Sequence, residues 1–158
     1  MSMIKIPSMS KEEYDELVNQ NHIARIAFKG ENYPYMAPFM YVFDGKSLYF
    51  LSTNYGKKIE EIKRNPNVAV EIEKYANDMS NYKFMTLQGR ITELNGDSKK
   101  NDIKKMFINM IKDKKLSNKA MAALGYSPDE SPQQIIKEER TLVWQLIDVK
   151  QIVALKNP

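Results

Sequence analysis

From Tyr33 to Phe43 the chain alternates with period two: every odd position except Ala37 is aromatic (Tyr33, Tyr35, Phe39, Tyr41, Phe43), with Pro34, Met36, Pro38, Met40 and Val42 between them. Such alternation specifies a β-strand with two unlike faces. The prolines add a sharper constraint. Residues two and four apart present their backbone N–H groups to the same edge, and proline has none, so Pro34 and Pro38 strip two donors from one edge only. That edge is poorly paired and faces either solvent or a ligand. Any fold for this chain must therefore accommodate a half-open strand.

The rest of the chain supplies its neighbours. Ser10 and Glu13 have capping-box spacing, and Tyr14, Leu17 and Val18 share a face, which predicts a short amphipathic helix over 11–19. His22 to Lys29 reads as a strand ending at the turn Gly30, Glu31, Asn32. Asp44 and Gly45 make a tight hairpin turn into the strand Ser47 to Leu51. A helix from Lys57 to Arg64 packs Ile59 and Ile62 inward and stops at Asn65, Pro66. Strands at Val68 to Ile72 and Lys83 to Glu93 follow, with Gly89 as a candidate bulge. Turns spaced about 8–12 residues apart indicate a barrel or sandwich rather than a parallel α/β sheet. Beyond them, Ile103, Met106, Phe107, Met110 and Ile111 mark one face of a helix over 98–115, and a shorter helix is expected near 118–124. The stretch 126–132 reads as loop, Thr141 to Val149 as a final buried strand, and Ile152 to Leu155 as a candidate short one.

At 158 residues, with 42% hydrophobic and 28% charged side chains, the chain is expected to be one globular domain over 1–158, carrying a helical insertion at about 98–138. The absence of cysteine excludes disulfides, thiolate nucleophiles, sulfur-ligated zinc and iron–sulfur clusters, so any redox chemistry has to come from a bound cofactor. A single histidine, His22, leaves no multi-histidine metal site within one chain, and no metal is expected. No uninterrupted apolar run approaches the roughly 18 residues of a membrane span, and the first residues lack a signal-peptide core, so a cytoplasmic protein without a membrane partner is expected. The net charge of +4 is only mildly basic. Lys99, Lys100, Lys104, Lys105, Lys112, Lys114 and Lys115 are interrupted by Asp97, Asp102 and Asp113, and no aromatics interleave on the polar face, so nucleic acid is not an expected partner.

Between Tyr49 and Val70 the sequence YFLSTNYGKKIEEIKRNPNVAV brings a strand to Ser52 and Thr53, passes Gly56, and sets Lys57 and Lys58 at a helix start. Cations are unfavourable at that positive pole unless an anion compensates them, and Glu60 and Glu61 do so only in part. Two readings fit: a solvated basic run on a surface helix, or a phosphate grip in which hydroxyls donate, Gly56 admits close approach and the lysines supply charge.

In this order of parts, the segments Tyr33 to Gly45, Tyr49 to Val70 and FMTLQGRI from Phe84 to Ile91 resemble the FMN-binding split β-barrel family related to pyridoxamine 5′-phosphate oxidase. The resemblance covers about Ser10 to Leu94, with a weaker echo around Trp144. It implies a mainly β (α+β) fold, a six- to seven-stranded antiparallel split β-barrel with flanking helices. It also implies FMN as cofactor, with Pro38, Phe39, Met40, Tyr41 and the strand to Val42 beside the flavin ring, and Ser52, Thr53, Lys57 and Lys58 on its phosphate. A homodimer with flavin at the subunit interface is implied as well. The oxidase proper has an arginine where this chain has Ala37 and a lysine where it has Val42, and its C-terminal arginine motif is missing after Trp144. The chain therefore resembles the small, general-stress or nitroimidazole-reductase-like branch more closely than the vitamin B6 oxidase.

Individual residues carry two readings each. Trp144 shares a face with Leu142 and Leu146 and is either core or a flavin contact; Tyr41 is likewise core or a flavin neighbour. His22 is a surface or capping residue, or a proton donor at a substrate. Arg25 is half of a salt bridge, or a phosphate partner. The functional expectation is an FMN-dependent oxidoreductase passing two electrons to a small acceptor; the alternative is a non-catalytic carrier or sensor of flavin, haem or deazaflavin.

Overall fold

The computed structural model describes residues 2–158. Six antiparallel strands, β1 (Ile23–Phe28), β2 (Tyr35–Phe43), β3 (Leu48–Thr53), β4 (Asn67–Tyr75), β5 (Tyr82–Glu93) and β6 (Thr141–Lys156), close in the order β1-β2-β3-β6-β5-β4. Five helices flank the barrel: α1 (Lys11–Gln20), α2 (Lys57–Arg64), α3 (Asp97–Asp113), α4 (Lys119–Ala123) and α5 (Gln134–Lys137). The six-stranded antiparallel barrel with flanking helices is the expected fold class. Its last strand is longer than expected: 141–149 and 152–155 are one strand, bent at Asp148 (φ +52°). The bend lies where the β5–β6 register shifts: Asp148, Val149 and Lys150 of β6 stand opposite Gly89 alone, so the extra residues are on β6 and not, as expected, at Gly89. A Cβ at Gly89 would sit 2.8 Å from the Ile147 carbonyl oxygen, so only glycine fits there without a shift.

Alternation along β2 divides its residues between two apolar layers. Phe39 and Tyr41 point into the barrel with Phe28, Phe50 and Trp144, whereas Met40 and Val42 pack outward beneath α3. Inside, the Phe39 ring lies 5.7 Å from Trp144, 6.1 Å from Phe28 and 6.2 Å from Phe50, distances at which aromatic pairs add to simple burial. Outside, Ile103, Phe107, Ile108 and Ile111 of α3 join Met121, Leu124, Tyr126 and Ile135 over Tyr49, Leu51 and Val143. Every residue of β3 is buried because both of its faces are covered. The α3 lysines do not form one solvated face. Lys104 is only 1% exposed, and burial pushes its ammonium down from the ordinary lysine range.

The capping box of α1 forms as its spacing predicts: the Glu13 N–H donates to Ser10 Oγ at 3.3 Å and the Ser10 N–H donates to Glu13 Oε1 at 3.1 Å. Glu13 also accepts from Lys156 at the end of β6, which ties α1 to the last strand. The Lys156 hydrogen bond, then the Ser10 backbone donor, hold the Glu13 carboxyl down at about 2. A carboxylate with a depressed folded-state pKa contributes stability above its unfolded value, and that contribution is lost as pH falls from about 4.5 through about 2. Glu13→Gln is therefore expected to flatten the acid limb of thermal stability in this window, measured as melting temperature against pH.

Candidate functional site

The β2–β3 ladder is short. It pairs Tyr41, Val42 and Phe43 with Phe50, Tyr49 and Leu48 and goes no further, while β1 pairs with β2 from Met40 to Tyr35 and β6 follows β3 to Thr53. The Tyr41 N–H donates to the His22 carbonyl on the β1 side, so even-numbered residues turn their N–H groups toward β3. Pro38 thus lies on the unpaired stretch of that edge, as its spacing from Pro34 predicts. Where the strands part, a cleft of about 250 Å³ opens, lined by Ile23, Tyr35, Ala37, Pro38, Phe39, Met40, Leu51, Ser52, Thr53, Lys58, Ala123 and Leu124.

Its polar end is built by the start of α2. Gly56 is the N-cap, at φ +100°, and no side chain caps the helix. An added Cβ there would meet nothing closer than Lys58 Nζ at 3.8 Å, so there is room beside the positive end of the helix, where the Ile59 N–H turns back to the Gly56 carbonyl at 3.2 Å. Lys58 folds back over this turn: its Nζ donates to Thr53 Oγ1 at 2.6 Å and to the Tyr55 carbonyl at 3.0 Å. Burial lowers its pKa from the ordinary lysine range, because the charged form has lost part of its water. Lys57 reaches the other way, its ammonium 5.1 Å from the centre of the Tyr35 ring across the split. The Ser52 hydroxyl is buried and donates to the Thr53 carbonyl at 2.9 Å.

Of the residues singled out from the sequence, Pro38, Phe39, Met40, Ser52, Thr53 and Lys58 line this cleft together, and Lys57 stands beside it over Tyr35. Tyr41 and Trp144 do not line it. Tyr41 is 1% exposed, and its hydroxyl donates to the Val18 carbonyl at 2.6 Å. Trp144 is 2% exposed within the aromatic cluster. For both, the core reading describes the geometry, because an inward position on a closed barrel faces the interior. Arg25 pairs with Glu71 and Glu73. His22 is half-buried, and burial followed by the charge of Lys114 lowers its imidazole pKa. The cleft also has a wall that strand and helix patterns did not announce: Ala123 and Leu124 of the α4 end, followed by Gly125 at φ +86°, where a Cβ would lie 3.4 Å from Thr53 Cγ2. A larger hollow of about 550 Å³ lies over β1, β4, β5 and β6, but its Arg90 is already paired with Asp148 at 2.9 Å.

The model of the pyridoxamine 5′-phosphate oxidase family matches residues 10–132. The chain belongs to that family. A curated relative, an uncharacterized protein of Rhizobium meliloti, is 34% identical over 86 residues; the match spans 54% of this chain and about half, 56%, of that relative. Two solved structures, both at low identity, share the oxidase-family fold. An FAD-binding protein from Mesorhizobium loti is similar with a TM-score of 0.69 at 18% identity, covering 98% of both chains. HutZ, the heme storage protein from Vibrio cholerae, gives a TM-score of 0.67 at 11% identity over 92% of this chain and 94% of its own. Among the described residues no helix is long and apolar enough to cross a membrane.

Because Tyr41 is bonded inside the barrel, Tyr41→Phe leaves the buried Val18 carbonyl without its donor. The variant should lose roughly 1–3 kcal/mol in chemical denaturation. Its affinity for any molecule seated in the β2–β3 cleft should be unchanged.

Proposed function

We propose that this chain binds FMN in the β2–β3 cleft and works as a flavin-dependent oxidoreductase delivering two electrons to a small acceptor. The supporting observation is the coincidence, in one place, of an interrupted strand ladder and an uncapped helix start carrying a desolvated lysine. The residues present suit a phosphomonoester: the Lys57 and Lys58 amides at the start of α2, the Thr53 hydroxyl, and Lys58 already fixed by two acceptors with a proton to spare. Charge-assisted bonds from such donors are about twice as strong as neutral ones. Lys57, on the opposite lip, adds a second positive charge.

A bound flavin supplies the electron transfer itself. The chain's part is to position and shield it. Pro38, Phe39 and Met40 offer an apolar wall with open backbone, and Leu124 narrows the far side and keeps water out. No carboxylate or imidazole lines the cleft, which fits chemistry carried by a cofactor better than acid–base catalysis by side chains. Ala37 and Val42 stand where the vitamin B6 oxidase has an arginine and a lysine, so a different substrate is part of the proposal. So is a homodimer in the cytoplasm. Ile23, Tyr33, Met36 and Tyr55, around the cleft, are 43%, 84%, 57% and 70% exposed, an apolar rim that a second copy would cover. The same cleft would also serve a carrier or sensor of flavin, haem or deazaflavin, a reading that the similarity to a heme storage fold keeps in view.

Titration with FMN, followed by quenching of flavin fluorescence, tests the proposal. Lys57→Ala combined with Lys58→Ala should weaken FMN binding roughly tenfold or more while the melting temperature stays nearly constant. Unchanged affinity would place the phosphate elsewhere. Steady consumption of reduced nicotinamide by the FMN-loaded protein separates the oxidoreductase from the carrier.

A further inference from the structure

The barrel has a second opening, at the other end of β3 from the cleft. β6 follows β3 only as far as the Tyr49–Gln145 pair and then runs on along β5, with Asp148, Val149 and Lys150 opposite Gly89 alone. α1 plugs part of the gap with Tyr14 and Val18, and a hollow of about 360 Å³ remains between α1, the β2–β3 hairpin and β6. Its floor belongs to the barrel interior: Leu48, Met85, Leu87 and Leu146. Phe43, Val149 and Ile152 complete its apolar sides. Ile152 lies opposite Leu87, on the inner face of the sheet, yet it is 41% exposed, and Val149 on the rim is 43% exposed. An aliphatic side chain on the inside of a barrel that still meets water marks an interior left unfilled.

Side chains offer little polarity at this mouth. Lys11 is joined to Asp15 at 2.5 Å, the Ser47 hydroxyl already accepts from Gln145 at 3.2 Å, and Lys46 stands in solvent. The backbone edge of β6 is different. On the side away from β5, the Met9 N–H donates to the Ala154 carbonyl at 2.8 Å and the Lys156 N–H donates to the Pro7 carbonyl at 3.0 Å. Alternate residues of a strand share an edge, so Ile152 turns its N–H and C=O the same way. There the chain has already turned into α1, and neither group has a backbone partner among the described residues. A group that fits this edge both donates and accepts, as a hydroxyl or a primary amide does. A further hollow, lined by Ser8, Met9 and 153–155, shares Tyr14 and Ile152 with the first, so apolar surface continues along the seam between α1 and β6. An elongated aliphatic seam suits a chain better than a ring.

We infer that this second opening is a binding site for an uncharged amphiphile with an unbranched alkyl chain of medium length. The chain lies over Leu48, Leu87, Leu146 and Ile152, and the hydroxyl or amide head meets the Ile152 backbone. The volume falls at the lower end of the range of small-molecule sites, about 300–1,000 Å³. Affinity comes from covering aliphatic wall, so it grows with chain length until the hollow is full. A carboxylate head has no proton for the Ile152 carbonyl and meets Asp15 on the same rim, which disfavours an acid of equal length. The site is separate from the β2–β3 cleft and does not rest on flavin binding.

Calorimetric titration of the intact protein with 1-butanol, 1-hexanol and 1-octanol tests the inference. Affinity should rise roughly three- to fourfold for each added methylene. Octanoate should bind more weakly than 1-octanol. Ile152→Trp, which fills the mouth, should abolish octanol binding; should that variant fail to fold, Val149→Trp at the exposed rim should abolish it instead. No binding of any alcohol, affinity independent of chain length, tighter binding of octanoate, or binding untouched by the variant that folds would overturn the inference. So would a change of oligomeric state in Ile152→Trp without alcohol binding to the parent, which would assign the mouth to a contact between copies of the chain.

Discussion

The parting of β2 from β3 at Tyr41 governs both the architecture and the site. A closed barrel would satisfy every backbone group by continuing the ladder toward Tyr35, yet pairing stops after three residue pairs. Pro38 removes a donor from that edge, so extending the ladder would leave a β3 carbonyl unpaired. Other contacts keep the strands in place: β2 is held along β1 through six pairs, β3 along β6 through five. Phe39 and Phe50 meet inside at 6.2 Å, which joins the two strands by side chains near the place where their backbones separate. The opening is therefore rigid on both lips, as a site that binds without large rearrangement requires.

Across that opening the contacts are electrostatic and reach from a neighbouring element. Lys58 is anchored on Thr53 of β3 and Lys57 leans over Tyr35 of β2, so two adjacent residues of one short helix touch opposite lips. Such divergence follows from helix geometry, since consecutive side chains point about 100° apart. Above them the turn after α4 closes against Thr53, with Gly125 taking the left-handed conformation that allows it. Here the end of α4 becomes part of the cleft instead of remaining in the outer layer.

Local pattern was enough for much of this. Period-two alternation located β2 and its unpaired edge, Ser10 and Glu13 located the start of α1, and Asn65-Pro66 located the end of α2, because each depends on neighbours in sequence. The β6 bend was not legible. It arises where Gly89 brings two backbones together across the sheet, and nothing in residues 141–156 alone encodes a left-handed Asp148. Lys104 illustrates the same limit: it belongs to a lysine-rich stretch with Lys99, Lys100 and Lys105, but α3 turns it toward the buried side. The aromatic alternation of Tyr41 and Trp144 was visible, whereas their direction, inward and away from the cleft, was set by closure of the barrel.

Charge bookkeeping separates informative lysines from ordinary ones. Several cations are neutralised locally: Arg25 by Glu71 and Glu73, Arg90 by Asp148, Arg140 by Glu130 and Glu138, Lys156 by Glu13. An exposed lysine without such a partner, Lys46 for example, is solvated and carries no message. Lys58 and Lys114 differ because they lack a carboxylate and have also given up water, Lys58 in part and Lys114 at its Nζ. Folding tolerates that cost only if packing elsewhere exceeds it, and both residues sit at the edge of a well-packed core that can do so. An anion that restores a partner to Lys58 stabilises the folded chain by mass action, and the unfolded chain, whose lysines are hydrated, gains nothing comparable. Desolvation without a countercharge is thus the physical sign by which the proposed β2–β3 cleft is recognised, and it is visible only once the fold has decided which lysines lose their water.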